Sequence, residues 1–86
     1  MQHAIAVVVP ACNEARFIAR VVRTIPAYVQ HVVVVDDGSS DGTARLASDT
    51  GRQGLVVVRH AERRGVGAAI ATGYKHALAV GAQVVA

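Results

Sequence analysis

Two adjacent carboxylates, Asp36 and Asp37, follow the run Val32 to Val35 and precede Gly38-Ser39-Ser40-Asp41-Gly42. Like charges side by side repel, and one Asp would serve a turn as well as two. A carboxylate at a strand end can accept a hydrogen bond from a ring N–H or a ribose hydroxyl of a nucleotide. Asp41 and Gly42 read as turn and cap residues only, while Ser39 and Ser40 stay open between turn formation and ligand contact. A calcium loop is the rival, because Asp37-x-Ser39-x-Asp41-Gly42 matches the start of an EF-hand. Its twelfth position would be Ser48, where a bidentate Glu is needed, and a strand leads in rather than a helix. Calcium is therefore rejected.

Arg63-Arg64 stands before Gly65-x-Gly67. A helix N-terminus preceded by two Arg suits an anion. These glycines are not a dinucleotide fingerprint, which must directly follow the first strand. Gly73 reads as close packing of a small-residue helix on a sheet. Cys12 has no His or Asp at triad-like or metal-like spacing, so it reads as a strand-end residue near a pocket. His3, His31, His60 and His76 show no ligand spacing. Solvated or internally satisfied roles are expected for them, and His60 alone falls near the candidate cleft.

Such residues need elements to hold them. Ile5 to Val9 is a continuous apolar run, the pattern of a strand buried on both faces, and Pro10 ends it. Asn13 is placed to cap a helix, with Glu14 in its first turn. Ile18, Val21, Val22 and Ile25 follow at helical spacing, and Pro26 stops that helix. Val32 to Val35 is the second strand. Asp41 or Ser40 caps a second helix that carries Leu46 and Ala47 and ends at Gly51. Leu55 to Val58 is the third strand. Gly65 to Val80 is an alanine-rich third helix closed by Gly81. Gln83 to Ala86 opens a fourth apolar run.

The order β-α-β-α-β-α-β predicts parallel strands, right-handed crossovers and helices on both faces. Ligands of such sheets bind outside the carboxyl ends of the strands. That singles out three segments: residues 10–14, 36–42 and 60–67.

The 86 residues allow at most one small domain. Apolar residues at 52% and charged residues at 17% describe a core-rich globular chain. Aromatics at 3% argue against single-stranded nucleic acid, which stacks on rings. A net charge of +3 from scattered basic residues is too small to argue for DNA, though it suits a phosphate-bearing ligand. The lone Cys12 excludes an intrachain disulfide and fits a reducing compartment. No apolar run reaches 18 residues, so no membrane span is expected. The N-terminus has no basic region before its apolar stretch, so no signal peptide is expected. Cytoplasmic residence follows as the expectation.

Three blocks, VVVPACNEARFIARVV, VVVVDDGSSDGTARLA and RRGVGAAIATGYKHALAVGAQVV, together resemble the N-terminal half of a family-2 glycosyltransferase with the GT-A fold. Polyprenyl- or dolichyl-phosphate mannose synthase-like members are the nearest in look. P-x-x-N-E alone is weak, DDGSSDGT after a strand is fairly specific, and all three in order are strong. The resemblance implies an α/β, three-layer, Rossmann-like half-domain over residues 1–86, with strand order 3-2-1-4, truncated at the fourth strand. It also implies binding of a nucleotide-diphospho-sugar, GDP- or UDP-linked. Pro10, Cys12 and Glu14 would form one wall of the base-and-ribose pocket. Val35 and Asp37 would form the other, with Asp37 accepting from the base. Asp36 would orient the loop or reach the ribose, and Arg63 with Arg64 would border the donor site.

The chain departs from the family in carrying Cys12 where Tyr is common, and Arg63 where many members have Asn. The family's metal-binding Asp-x-Asp and its catalytic base come later than residue 86. No catalytic or metal residue is assigned here, and Mg2+ or Mn2+ is implied for the complete enzyme, as is membrane association. The 86 residues are therefore expected to bind donor without transferring sugar to the implied lipid phosphate or glycan acceptor. A non-enzymatic nucleotide-binding or assembly module is the alternative. An apolar fourth strand at a sheet edge is expected to favour self-association.

Overall fold

β-branched runs set the sheet. In the computed structural model, which describes residues 4–86, β1 (Ile5–Ala11), β2 (His31–Asp37), β3 (Leu55–His60) and β4 (Val84–Val85) pair in parallel in the order β3-β2-β1-β4. Residues 1–3 lie outside the described residues, and with them the expectations for His3 and the chain start. Between the strands run α1 (Ile18–Thr24), α2 (Thr43–Ser48) and α3 (Val66–Ala79). The expected strand order and element alternation are both observed.

Val32, Val33, Val34 and Val35 are all fully buried, because both faces of β2 are covered. Val32 and Val34 pack with Ile18, Val22 and Ala47 under α1 and α2. Val33 and Val35 pack with Ala6, Ala69 and Ala77 under α3. Each buried Val or Ile side chain contributes about 1.5–3 kcal/mol, and each Ala less. The approach of α3 is close because Gly73 has no side chain: a Cβ there would collide with Val8 and crowd Val35. That is the packing role expected for Gly73.

Several element ends differ from expectation. β1 runs through Pro10 to Ala11. Val8 N–H bonds Ala86 O at 2.8 Å and Ala86 N–H bonds Ala6 O at 2.9 Å, so even-numbered residues of β1 face β4. The β4 ladder pairs only Ile5 and Ala6, so the missing Pro10 N–H interrupts no ladder bond. β2 and β3 also run further, carrying Asp36, Asp37, Arg59 and His60 within the strands. Helix α1 begins at Ile18, not next to Asn13, which holds a left-handed φ of 54°. Gly42, rather than Asp41 or Ser40, occupies the N-cap position of α2, and α2 ends at Ser48 before Gly51.

The C-terminal end of α1 leaves carbonyls without helical partners. Arg52 supplies them. Its guanidinium donates to Val22 O at 2.9 Å, Pro26 O at 2.8 Å and Val29 O at 3.3 Å, and also to Ile25 O. This seal lies at the amino ends of the strands, away from the segments singled out above.

Candidate functional site

The carboxyl ends of β1, β2 and β3 lie side by side, with Ala11 paired to Asp36 and Asp37 paired to His60. The loop after β2 and the loop after β1 are locked together. Asn13 N–H donates to Ser39 Oγ at 2.8 Å, Glu14 N–H to Thr43 Oγ1 at 3.0 Å and Ala15 N–H to Asp41 Oδ2 at 3.1 Å. In return, Asn13 Oδ1 accepts from Ser40 N–H at 2.9 Å. Asn13 therefore joins two loops instead of capping α1. Asp41 stands one residue before the cap position: it accepts from Thr43 N–H at 3.2 Å and from the Thr43 hydroxyl, and it holds the β1 loop as well. Ser39 and Ser40 both serve this lock.

Asp36 and Asp37 have separate tasks. Asp36 is 1% exposed, accepts from Ser39 N–H at 3.0 Å and lies 3.7 Å from Arg59 Nε. Arg59 also donates to Ser39 O at 3.0 Å. Asp36 thus orients the loop, one of its two expected roles. Gly38 permits the tight passage next to it: with φ at 72°, a Cβ there would lie 2.9 Å from the Glu62 carbonyl carbon.

Asp37 points to the third loop. Oδ1 accepts from His60 Nδ1 at 2.8 Å and from Arg64 N–H at 2.9 Å, and Oδ2 accepts from Gly65 N–H at 2.8 Å. These bonds hold its carboxyl below the ordinary carboxylate value, the Arg64 N–H most and His60 next, against the upward push of burial. The Asp41 carboxyl is likewise lowered, chiefly by the Thr43 hydroxyl. An ionised Asp37 can only accept, so His60 Nδ1 carries the proton toward it. In neutral His60, Nε2 then accepts from the Thr72 hydroxyl at 2.9 Å. His60 is the internally satisfied histidine anticipated near the cleft. Its partners were not: an isolated His in sequence carries no sign of an Asp 23 positions earlier.

Pro10, Ala11, Cys12, Asp37, Arg63, Val66 and Ala69 line a cleft of about 90 Å³ at this end of the sheet. Four of the expected site residues, Pro10, Cys12, Asp37 and Arg63, are brought together there. Glu14 is exposed on the β1 loop, and Asp36 lies behind the loop it orients. Val35 is fully buried beneath α3 and is not in the cleft lining. Among the described residues no three His, Cys, Asp or Glu side chains are grouped to hold a metal ion. The residues present do not fit a divalent cation by themselves. No helix among the described residues is long and apolar enough to cross a membrane.

A parallel sheet covered on both faces, with a cleft at the carboxyl ends of its strands, is the arrangement in which open α/β folds bind their ligands. The sequence model described as Glycosyl transferase family 2 matches residues 6–80, and the chain belongs to that family. An uncharacterised protein of Methanocaldococcus jannaschii is 43% identical over 75 residues, covering 86% of this chain and 30% of the relative. The UDP-N-acetylglucosamine–dolichyl-phosphate N-acetylglucosaminyltransferase of Methanococcus voltae is 27% identical over 95 residues, covering 93% of this chain and 38% of that protein. The structure is similar to a Pyrobaculum calidifontis mannosyltransferase in complex with GDP-Man and Mn2+, with a TM-score of 0.75 and 34% identity over 88% of this chain and 25% of that one. It is also similar to glucosyl-3-phosphoglycerate synthase of Mycobacterium tuberculosis in complex with Mn2+, UDP and glucosyl-3-phosphoglycerate. There the TM-score is 0.71 and the identity 28%, over 96% of this chain and 32% of that one. The fold is the GT-A fold of these neighbours. The chain spans well under half the length of each of these four proteins.

Proposed function

We propose that this chain forms the nucleotide-binding part of a glycosyltransferase that moves a sugar from a nucleotide diphosphate to a lipid phosphate or glycan. The observation that carries this reading is the cleft joining Asp37 to Pro10, Cys12 and Arg63. Asp37, held ionised by three N–H donors, accepts from the base. Arg63 supplies a fixed positive charge beside it. Asp36 acts from behind the cleft by holding the loop after β2, and the backbone N–H of Glu14 ties the β1 loop to Thr43. The GDP-Man and UDP held by the two structural neighbours support a nucleotide donor.

The cleft is far smaller than the ~300–1,000 Å³ of a complete small-molecule site. It seats the nucleoside end of a donor and leaves the sugar outside. The chain's own residues therefore bind and orient, and sugar transfer needs residues beyond them. In a complete enzyme, Mg2+ or Mn2+ is held by those further residues, and the acceptor brings the enzyme to a membrane surface. The sheet edge at β4 lets the chain associate with itself.

Calorimetric titration with UDP and GDP tests the reading. Saturable binding of a nucleotide is expected, and Asp37→Ala should weaken it roughly tenfold or more. Arg63→Ala, at an exposed side chain, should also weaken it, while Asp41→Ala should leave it within about twofold. Stronger loss from Asp41→Ala than from Asp37→Ala would overturn the division of roles.

A further inference from the structure

An ionised carboxylate has about four acceptor positions, two on each oxygen. In Asp37 three are taken. Oδ1 accepts from both His60 Nδ1 and Arg64 N–H, at 2.8 and 2.9 Å, and Oδ2 accepts from Gly65 N–H at 2.8 Å. Oδ1 is full, and one position remains on Oδ2. We infer that the site selects uracil over guanine nucleotides, because the carboxylate that meets the base can take a single N–H. This inference rests on the proposal that Asp37 meets the base, and names the base.

The chemistry of the two bases separates them. Guanine presents N1–H and its exocyclic amino group side by side, a donor pair that needs both oxygens of one carboxylate. Bound to Oδ2 alone, it leaves one donor without a partner, and an unmet donor at a desolvated site is costly. Uracil presents one donor, N3–H, between two carbonyl oxygens. Arg63 lines the cleft together with Asp37, and its guanidinium can only donate, which suits a carbonyl beside N3–H. Cytosine carries an acceptor at N3 and would set it against the carboxylate.

The filling of Oδ1 is fixed by packing. His60 is 5% exposed and its other nitrogen is held by Thr72 Oγ1 at 2.9 Å, so the ring cannot swing away without losing two bonds. The two structural neighbours do not decide the matter, since one holds GDP-Man and the other UDP.

Isothermal titration of the 86-residue chain with UDP, GDP and CDP reads the preference directly. UDP should bind at least about tenfold tighter than GDP, with CDP weaker than UDP. His60→Leu frees a position on Oδ1 and should narrow the UDP-to-GDP ratio below about threefold. His60→Asn, whose amide N–H can still donate to Oδ1, should keep the ratio near that of the unmodified chain. Equal affinity for UDP and GDP, or tighter GDP binding, overturns the inference while leaving the donor-site reading intact. An unchanged ratio in a folded His60→Leu chain also overturns it. Binding of no nucleotide overturns the donor-site reading, and the inference falls with it.

Discussion

Asp37 and His60 are ladder partners at the carboxyl ends of β2 and β3, with Oδ1 and Nδ1 2.8 Å apart, and neither residue is more than 5% exposed. The pair sits at the point where the sheet stops and the cleft starts. His60 passes the contact on to Thr72 of α3, so one face of the cleft is tied to the helix behind it.

Acid should remove part of the chain's stability. Asp37 and Asp41 both have folded pKa values lowered from 3.8. A lowered pKa means stabilisation that is fully present above the unfolded value and is lost as pH falls through the folded one. The melting temperature should therefore fall as pH drops below 3.8. Asp37→Asn should fall less steeply over the same range, from a lower start. Thermal melts by circular dichroism across pH 7 to 2.5 check this, and parallel curves for the two chains would refute it.

Two glycines of α3 should respond in opposite directions. Gly73→Ala places a methyl against Val8 and Val35 and should cost about 1–3 kcal/mol through overpacking. Gly67→Ala meets no atom within 4 Å and should gain up to about 1 kcal/mol from helix propensity. Urea denaturation of both variants measures the difference.

Arg52→Met removes the charged donor from the end of α1. Hydrogen bonds to charged groups contribute about 1.5–3 kcal/mol, so a stability loss of that size is expected. Nucleotide affinity should stay unchanged, because this seal is at the opposite end of the sheet. A loss of affinity without a loss of stability would contradict the placement.

β4 is an outer strand of the sheet, and Val84 on it is 45% exposed. Beside it α3 shows Ile70, Tyr74 and Leu78, each about half exposed. An uncovered apolar edge is a template for pairing. Sedimentation velocity should show concentration-dependent association, and Val84→Lys should reduce it. A single monomer peak at high micromolar concentration would count against the edge.

The sheet was legible because burial on both faces leaves a signature in the chain. The four valines of β2 could hardly be placed elsewhere, and the breaks at Pro26, Gly51 and Gly81 spaced the elements. Strand order came from the resemblance, not from the valines. Cleft residues were legible in part, because Asp37 ends β2 and Arg63 follows β3, and those strand ends must converge. The lock between the loops was not. Asn13 looks like a cap in sequence, since its use depends on Ser39 and Ser40, which arrive beside it only after β1 and β2 have paired. Asp41 likewise looked like a cap alone because its second partner, Ala15, is on another loop. Bonds of side chain to distant backbone have no period to detect.

That lock bears on how the site can change. Residues 13–15 and 39–43 behave as the two halves of one fitting, so substitutions in them should not be independent. Replacing Asn13 strands Ser40, and replacing Asp41 releases both Ala15 and Thr43. Residues that share partners in this way give non-additive effects. A graft of the DDGSSDGT block into another scaffold would then carry its geometry only if the P-x-x-N-E segment travelled with it.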